Sequence, residues 1–457
     1  MTDVLSRIVA HKKEEIAGQR REMPESSYLR ELAPSDRDFK AALQQEGPAF
    51  ILECKMASPS RGLLRPDFDL DQIAAVYGRH ADAISVLTDN TFFGGHSTHL
   101  SHIRARVRQP LLNKDFFIDP YQVYRARYHG ADAILLMLSI LDDARYRELA
   151  ALAHELNMDV LTEAHTEEEV QRALKLQADI LGINNRNLKD LSIDRDTTRR
   201  LAPKADSSRV IVSESGFYTR RDVRDLKDKA GAFLVGSALM AESDLEAAVK
   251  RLIYGEVKIC GLTRPEDARA AHEAGALYGG MIFAPRSARC LSEETARTLR
   301  SSASLNWVAV FADQDAAEVA RLARVLDLHA VQLHGRESAE YITNLRALLP
   351  PECEIWRALP VDGDIPPPPP REVDRIVLDS AGAAGFGGSG HTFDWRLIEH
   401  RPQKRPLMLA GGLTPENIQQ ALDLPVSGFD LSSGVESAPG IKDRRKIEKL
   451  FNIIRRH

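Results

Sequence analysis

The sequence predicts two fused (β/α)8 barrels, and three observations lead there. Sixteen short apolar runs, rich in β-branched residues, are spread along the 457 residues. Segments of helical period follow them, which is the alternation of a parallel sheet wrapped in helices. The runs fall into two sets of eight, and the break lies where the helix-like DLEAAVKRLIY ends at Gly255 and EVKIC opens a new run without a polar linker. The division is placed at 254/255, giving domains 1–254 and 255–457.

In the first half the strand candidates are AFILEC (49–54), AISVL (83–87), PLLN (110–113), DAILLML (132–138), MDVLT (158–162), DILGI (179–183), RVIVS (209–213) and GAFLVG (231–236). In the second they are EVKIC (256–260), YGGMIF (278–283), NWVAVF (306–311), HAVQL (329–333), EIWRAL (354–359), DRIVLD (374–379), PLMLA (406–410) and SGFDLS (427–432). Residues 1–45 carry charged helical segments before the first strand, so an N-terminal helical extension is expected to pack over one end of the first barrel, where it could act as a lid. Pro366 to Pro370 cannot lie inside a helix, and AGAAGFGGSG (381–390) is conformationally loose. The fifth helix of the second barrel is therefore read as a loop.

Composition narrows the function classes. With 61 Lys+Arg against 66 Asp+Glu the formal net charge is −5, so no basic field invites nucleic acid. The longest apolar run, Ala133 to Leu141, falls short of the roughly 18 residues of a bilayer span, and the charged start is unlike a signal peptide. No membrane partner is expected, and the chain reads as a soluble, cytoplasmic monomer. Four cysteines without a C-x-x-C pair suit a reducing compartment and offer neither a disulfide framework nor a zinc site. His96, His99 and His102 share a helical spacing, but no acidic residue or cysteine accompanies them in sequence, so no metal is expected there. Arg104 to Arg108 and Arg199-Arg200 read as solvated helix faces.

In such a barrel the interior is expected to be apolar layers, with chemistry where the strands end. The first half delivers Glu53, Lys55, Lys114, Glu163, Asn184, Arg186, Ser215, Gly236 and Ser237 to one rim. One charge at a strand end is unremarkable; five converging perturb one another's protonation and mark a site. S-E-S-G (213–216) and V-G-S (235–237) let backbone N–H groups approach a phosphate, and A-G-G-L-T (410–414) and S-S-G-V-E (432–436) repeat the arrangement in the second half. There Cys260 ends the first strand, Asp379 ends the sixth, and Arg289 follows the second, a set suited to proton transfer. Near its reference value of about 8.5 a thiol needs a nearby cation or dipole to serve as a base.

These residues resemble two known families. ILECKMASPSRG (51–62), LLNKDFFID (111–119), VLTEAHT (160–166), GINNRNL (182–188), SESG and FLVGSALM (233–240) make the first half similar to indole-3-glycerol phosphate synthase. KICGLT (258–263), S-x-R (287–289), VQLHG (331–335), VLDS (377–380), F-D-W (393–395), LAGGLTPENI (409–418), DLSSGVE and PGIKD (439–443) make the second similar to phosphoribosylanthranilate isomerase. Met56 departs from the basic residue common in the first family, and Ser389 from a usual threonine in the second.

The resemblance implies a bifunctional enzyme of tryptophan biosynthesis acting on small phosphorylated substrates without a cofactor or metal. For the isomerase it implies Asp379 as general acid, which needs its proton affinity raised, Cys260 as general base, and Arg289 on the substrate carboxylate. For the synthase it implies Lys114 as general acid, with Lys55 lowering its proton affinity and Glu53 pulling it back, and Glu163 as base for dehydration. Glu53 and Asn184 would position hydroxyls, and Ser215 would lie near the reacting ring. Further substrate contacts would be Ser58, Arg186, Glu214, Gln332 and His334. The phosphates would rest on Gly216, Gly236 and Ser237, and on Gly411, Gly412, Ser433 and Gly434. Two alternatives use the same residues: a phosphosugar aldolase with Lys114 or Lys55 as Schiff-base nucleophile, and a chain in which one barrel only binds ligand or stabilises.

Overall fold

The computed structural model describes residues 4–187, 191–206, 208–380, 392–399 and 405–457. The Gly-rich segment 381–390, with Ser389, lies outside them. The chain divides into two compact units, Met1–Ile253 and Tyr254–His457. Each contains a closed barrel of eight parallel strands, so both are (β/α)8 barrels.

The first barrel comprises β1 (Ala49–Cys54), β2 (Ala83–Leu87), β3 (Leu111–Lys114), β4 (Ala133–Met137), β5 (Asp159–Ala164), β6 (Ile180–Asn184), β7 (Val210–Glu214) and β8 (Ala232–Val235). The second comprises β9 (Glu256–Ile259), β10 (Tyr278–Ile282), β11 (Asn306–Phe311), β12 (Ala330–Leu333), β13 (Glu354–Val361), β14 (Arg375–Ser380), β15 (Leu407–Leu409) and β16 (Gly428–Leu431). Every strand sits within a few residues of its apolar run, because such residues can satisfy a strand buried on both faces. Asp119, Asp142, Thr166, Thr219, Ser292, Asp315, Ser338 and Asp443 cap the starts of helices with side-chain oxygens, removing orphan backbone donors. No helix follows β13; 362–374 is a proline-rich loop, as its composition predicts.

Alternation along the strands builds the first mouth. Ile51, Leu112, Leu161, Val212 and Leu234 belong to one buried apolar cluster inside the barrel. Side chains two residues further along share that face, and those positions are Glu53, Lys114, Glu163, Glu214 and Gly236. The apolar layer ends where the ionisable layer begins.

The second barrel departs from the expected apolar interior. Lys258 and Asp430 are buried side by side on β9 and β16, Gln332 and Trp356 on β12 and β13, and Arg375 lies 4.9 Å from the Trp356 ring centroid and 5.7 Å from that of Tyr278. Buried charges persist only when paired. Arg375 pairs with Glu256, and the Lys258 ammonium is 2.8 Å from Asp430 Oδ2.

The N-terminal extension reaches both ends of the first barrel, where the sequence suggested one. The short helix α2 (Phe39–Leu43) buries Phe39 and Leu43 in the cluster that holds Ala49 and Ile180, and the Lys40 N–H donates to Asp159 at the start of β5, 2.9 Å away. It plugs the end where the strands begin. The preceding helix α1 (Val4–Glu22) lies at the opposite rim. Its buried Lys12 is 2.8 Å from both Asp89 and Asp115, just past the ends of β2 and β3, and 2.7 Å from Glu15. The three carboxylates outweigh the cost of burial and hold the ammonium charged. Two further readings are corrected by tertiary pairing. Arg104 is not solvated but bound 2.8 Å from the buried Asp132. His102 finds an acidic partner in Asp71, 2.7 Å away on the helix Leu70–His80.

Removing one partner from a buried ion cluster strands the others, at about 3–5 kcal/mol. Lys12→Met is expected to lower the stability of the first unit by that amount in urea denaturation, whereas Lys13→Met, at an exposed neighbour, changes it by less than about 0.5 kcal/mol. Equal effects would contradict a pinned helix.

Candidate active sites

The first mouth is a cavity with about 890 Å³ of empty space, part of it open to solvent. Glu53, Lys55, Lys114, Glu163, Asn184, Arg186, Ser215, Gly216, Gly236 and Ser237 line it together. Ser58 is buried beside it, in a smaller cavity shared with Lys55, Arg186, Ser237 and the α1 residues Leu5 and Ile8. Glu214 lies beneath the floor, almost fully buried.

Lys114 organises this cavity. Its Nζ is 2.8 Å from Glu214 Oε2, 3.7 Å from Glu163 Oε2 and 3.9 Å from Glu53 Oε2. Lys55 Nζ approaches the other Glu53 oxygen at 2.5 Å. Burial alone would weaken the hold of Lys114 on its proton. Glu214, Glu163 and Glu53 outweigh it, and Lys114 stands above the ordinary lysine range. This corrects the expectation that Lys55 sets the balance, since three carboxylates surround the ammonium and Lys55 is engaged by Glu53. Glu53 is itself kept below the usual carboxylate range: burial works against it, but Lys55 and Lys114 prevail. Burial, only partly offset by Lys114, pushes the Glu214 carboxyl up to about 7, with Glu163 and Glu53 adding to it.

Backbone geometry opens the mouth for an anion. Ser215 has a left-handed φ of 70°, uncommon for a residue with a side chain and characteristic of sites held by their surroundings. At Gly236 a Cβ would come within 2.2 Å of Glu53 Oε1, so glycine there lets the backbone pass next to the carboxylate. A one-turn helix, Ser237–Met240, follows it.

The second mouth encloses about 1360 Å³ of empty space, partly open to solvent. Cys260, Arg289, Gln332, His334, Asp379, Gly411, Gly412, Ser433 and Gly434 all line it. Thiol and acid therefore face one cavity. Asp379 Oδ2 is 3.3 Å from His334 Nε2, while its Oδ1 is buried without a hydrogen-bond partner among the described residues. Gly411 (φ 81°) turns the chain so closely that a Cβ would lie 2.5 Å from the Ser380 backbone nitrogen. Arg289 is engaged: Nε and Nη2 bind the buried Glu436 at 2.8 and 2.6 Å, and Lys442 holds the same carboxylate at 2.8 Å. Gln332 Oε1 accepts from Lys258 at 2.7 Å. The Cys260 thiol is pushed up chiefly by burial; Lys258 and Lys442 pull it down, and Asp430 counters them. The cation the thiol requires is present, but it is shared with a carboxylate.

Lys258, Asp430, Glu436, Lys442 and His165 are functional-site residues that sequence reasoning missed. His165 Nε2 is 3.2 Å from Glu163 Oε1, and although burial opposes it, Glu169 and Glu163 raise its proton affinity. A signal for Lys258 existed in KICG, where it stands two residues before Cys260 on the same face of β9. His165 likewise stands two residues after Glu163 and Glu436 six before Lys442, whereas Asp430 meets Lys258 only through the fold.

Comparison with known proteins matches each half separately. A family model described as indole-3-glycerol phosphate synthase matches residues 5–252, and one described as N-(5'phosphoribosyl)anthranilate (PRA) isomerase matches residues 257–453. The chain is similar to the tryptophan biosynthesis protein TrpCF of Vibrio cholerae serotype O1, at 50% identity over 457 residues, 100% of this chain and 97% of that one. It is similar to the TrpCF of Salmonella typhi, at 50% identity over 455 residues and 100% of both chains. With the TrpCF of Haemophilus influenzae it shares 46% identity, over 99% of this chain and 97% of that one.

Glu214 holds its proton more tightly folded than unfolded, so between its ordinary 4.5 and about 7 the native state binds more protons than the unfolded chain. Its contribution to stability is thus present at low pH and lost as pH rises through 7. Glu214→Gln should flatten that component of the change in urea midpoint between about pH 5 and about pH 7.5. An identical pH slope in wild type and variant would refute the assignment.

Proposed function

The chain belongs to the indole-3-glycerol phosphate synthase and phosphoribosylanthranilate isomerase families, and from that premise we propose how its residues divide the two reactions. It is a bifunctional enzyme of tryptophan biosynthesis, a carboxy-lyase and an intramolecular oxidoreductase in one polypeptide. The second barrel isomerises N-(5-phosphoribosyl)anthranilate to carboxyphenylamino-deoxyribulose phosphate, and the first closes the indole ring of that product with loss of carbon dioxide and water. The observation that carries the residue assignment is that each cavity gathers a complete acid–base pair, Lys114 with Glu163 and Cys260 with Asp379.

In the isomerase, Asp379 protonates the ribose ring oxygen as the C1–O bond breaks and the anilino nitrogen forms a C=N bond. The unpartnered Oδ1 supplies the edge that meets substrate. Cys260 then removes the C2 proton, and the enolamine collapses to the aminoketose. Gly411, Gly412, Ser433 and Gly434 hold the phosphate, Gln332 and His334 orient the sugar, and Arg289 reads the anthranilate carboxylate. Glu436 fixes the plane of that guanidinium.

In the synthase, attack of the anthranilate ring on the ketone builds charge on oxygen. Lys114 neutralises it: its high proton affinity guarantees the proton at neutral pH, and the developing alkoxide is basic enough to take it. Lys55 and Arg186 face the substrate carboxylate, Glu53 and Asn184 orient hydroxyls, and Glu163 takes the proton that drives dehydration. Ser58 and Ser215 flank the aromatic ring, Gly216, Gly236 and Ser237 receive the phosphate, and Glu214 holds Lys114 from below. A Schiff-base aldolase requires a neutral lysine nucleophile, and three carboxylates oppose that at Lys114. Among the described residues no helix is long and apolar enough to cross a membrane. We place the working enzyme in the cytoplasm, as a monomer acting without a cofactor, metal or nucleic acid.

Cys260→Ala should lower isomerase kcat by about 10²–10⁴-fold and leave the synthase within twofold, while Lys114→Ala should do the reverse. Separate assays with each substrate measure this. A folded single variant that loses both activities would contradict the assignment.

A further inference from the structure

We propose that Lys258 is the positioning residue of the isomerase base, its buried ammonium favouring the anionic form of the Cys260 sulfur that removes the substrate proton. The inference rests on the assignment of Cys260 as base and extends it to the group that makes a cysteine fit for the task.

The geometry is specific. Lys258 and Cys260 stand two residues apart at the end of β9 and share its inward face. Lys258 is fully buried, and its ammonium donates to Asp430 Oδ2 at 2.8 Å and to Gln332 Oε1 at 2.7 Å, which leaves one of its three hydrogens for the face it shares with Cys260. An ammonium is a donor only, so it favours a sulfur that accepts. At Gly280 a Cβ would lie 2.6 Å from Cys260 Sγ, so the neighbouring strand leaves room for the sulfur above the lysine.

Other charges face the thiol from every side. Asp430 stands opposite on β16 and opposes ionisation of the sulfur, and Lys442 favours it from the segment after β16. Glu436 divides its pull between Lys442 and Arg289. Asp379 and His334 line the far side of the cavity. Lys258 is the largest favourable influence on the anion. It is buried and absent from the cavity lining to which Cys260, Gln332 and Asp430 contribute, which distinguishes it from a substrate contact.

The test is the pH dependence of isomerase kcat/KM in the full chain, with the urea unfolding transition of the second unit as the check on folding. Lys258→Met should move the acid limb upward by at least about one pH unit, a loss of about tenfold or more near pH 7 that recovers as pH rises, with KM little changed. The rate of Cys260 alkylation by iodoacetamide, followed by mass spectrometry, should shift in the same direction. Because the single variant leaves Asp430 buried without its cation, Lys258→Met/Asp430→Asn, which removes both charges, decides the matter. Lys258→Arg, which keeps the cation, should restore most of the limb. If activity falls equally at all pH values, or the alkylation profile stays in place, in a chain whose second unit keeps its unfolding transition, the proposal is overturned. If Cys260→Ala keeps isomerase activity, the assignment of the base fails instead, which separates the two.

Discussion

A lysine ammonium buried at the end of a strand is the interaction on which each mouth depends. Taking such a charge out of water costs several kcal/mol, and nearby carboxylates with good geometry must repay it. Lys114 has three of them; Lys258 has one, with an amide oxygen. The count explains the difference in character. The first cluster keeps its lysine firmly protonated, and the second matches its cation with a single carboxylate, two residues along the strand from a thiol. Glu214, Asp430 and Glu436 are in this sense the counter-charges that hold Lys114, Lys258 and Arg289 in place.

Strand alternation turns these local balances into sites. In a closed parallel barrel all strands end at the same mouth, and every second residue points inward. Adding two to the positions of an apolar layer therefore yields a layer of acids and bases on one rim. Space for that layer comes from glycine: side chains at Gly236 and Gly280 would collide with Glu53 and Cys260 respectively. The extension acts on the same frame from outside. Its α2 closes the end where strands begin, and Lys12 fixes α1 at the functional end, placing Leu5 and Ile8 beside Lys55 and Ser58.

How far the sequence could be read follows from the range of each interaction. The strands were legible because β-branched runs carry their own signal over five or six residues, and the proline loop was legible because Pro366 to Pro370 cannot be helix. The gathering of Lys114 with Glu163, and of Cys260 with Asp379, followed from strand ends sharing a mouth. Pairings between distant residues carried no such signal. Lys258 and Asp430 are 172 positions apart, and Arg289 and Glu436 147, so the polar interior of the second barrel and the engaged guanidinium emerged only on folding. The proton affinity of Lys114 failed as an expectation for the same reason: the sequence displayed Lys55 nearby but not the closeness of Glu214. Arg104 read as a solvated face until Asp132 stood next to it.

The central claim is that the two barrels hold separate and complete sets of acids and bases in one chain. Mixing tests it most directly. With phosphoribosylanthranilate as the only substrate, neither the Cys260→Ala chain nor the Lys114→Ala chain should yield indole-3-glycerol phosphate, and an equimolar mixture of the two full-length variants should, as one releases the intermediate that the other consumes. A mixture that stays inactive while both variants remain folded would contradict the account.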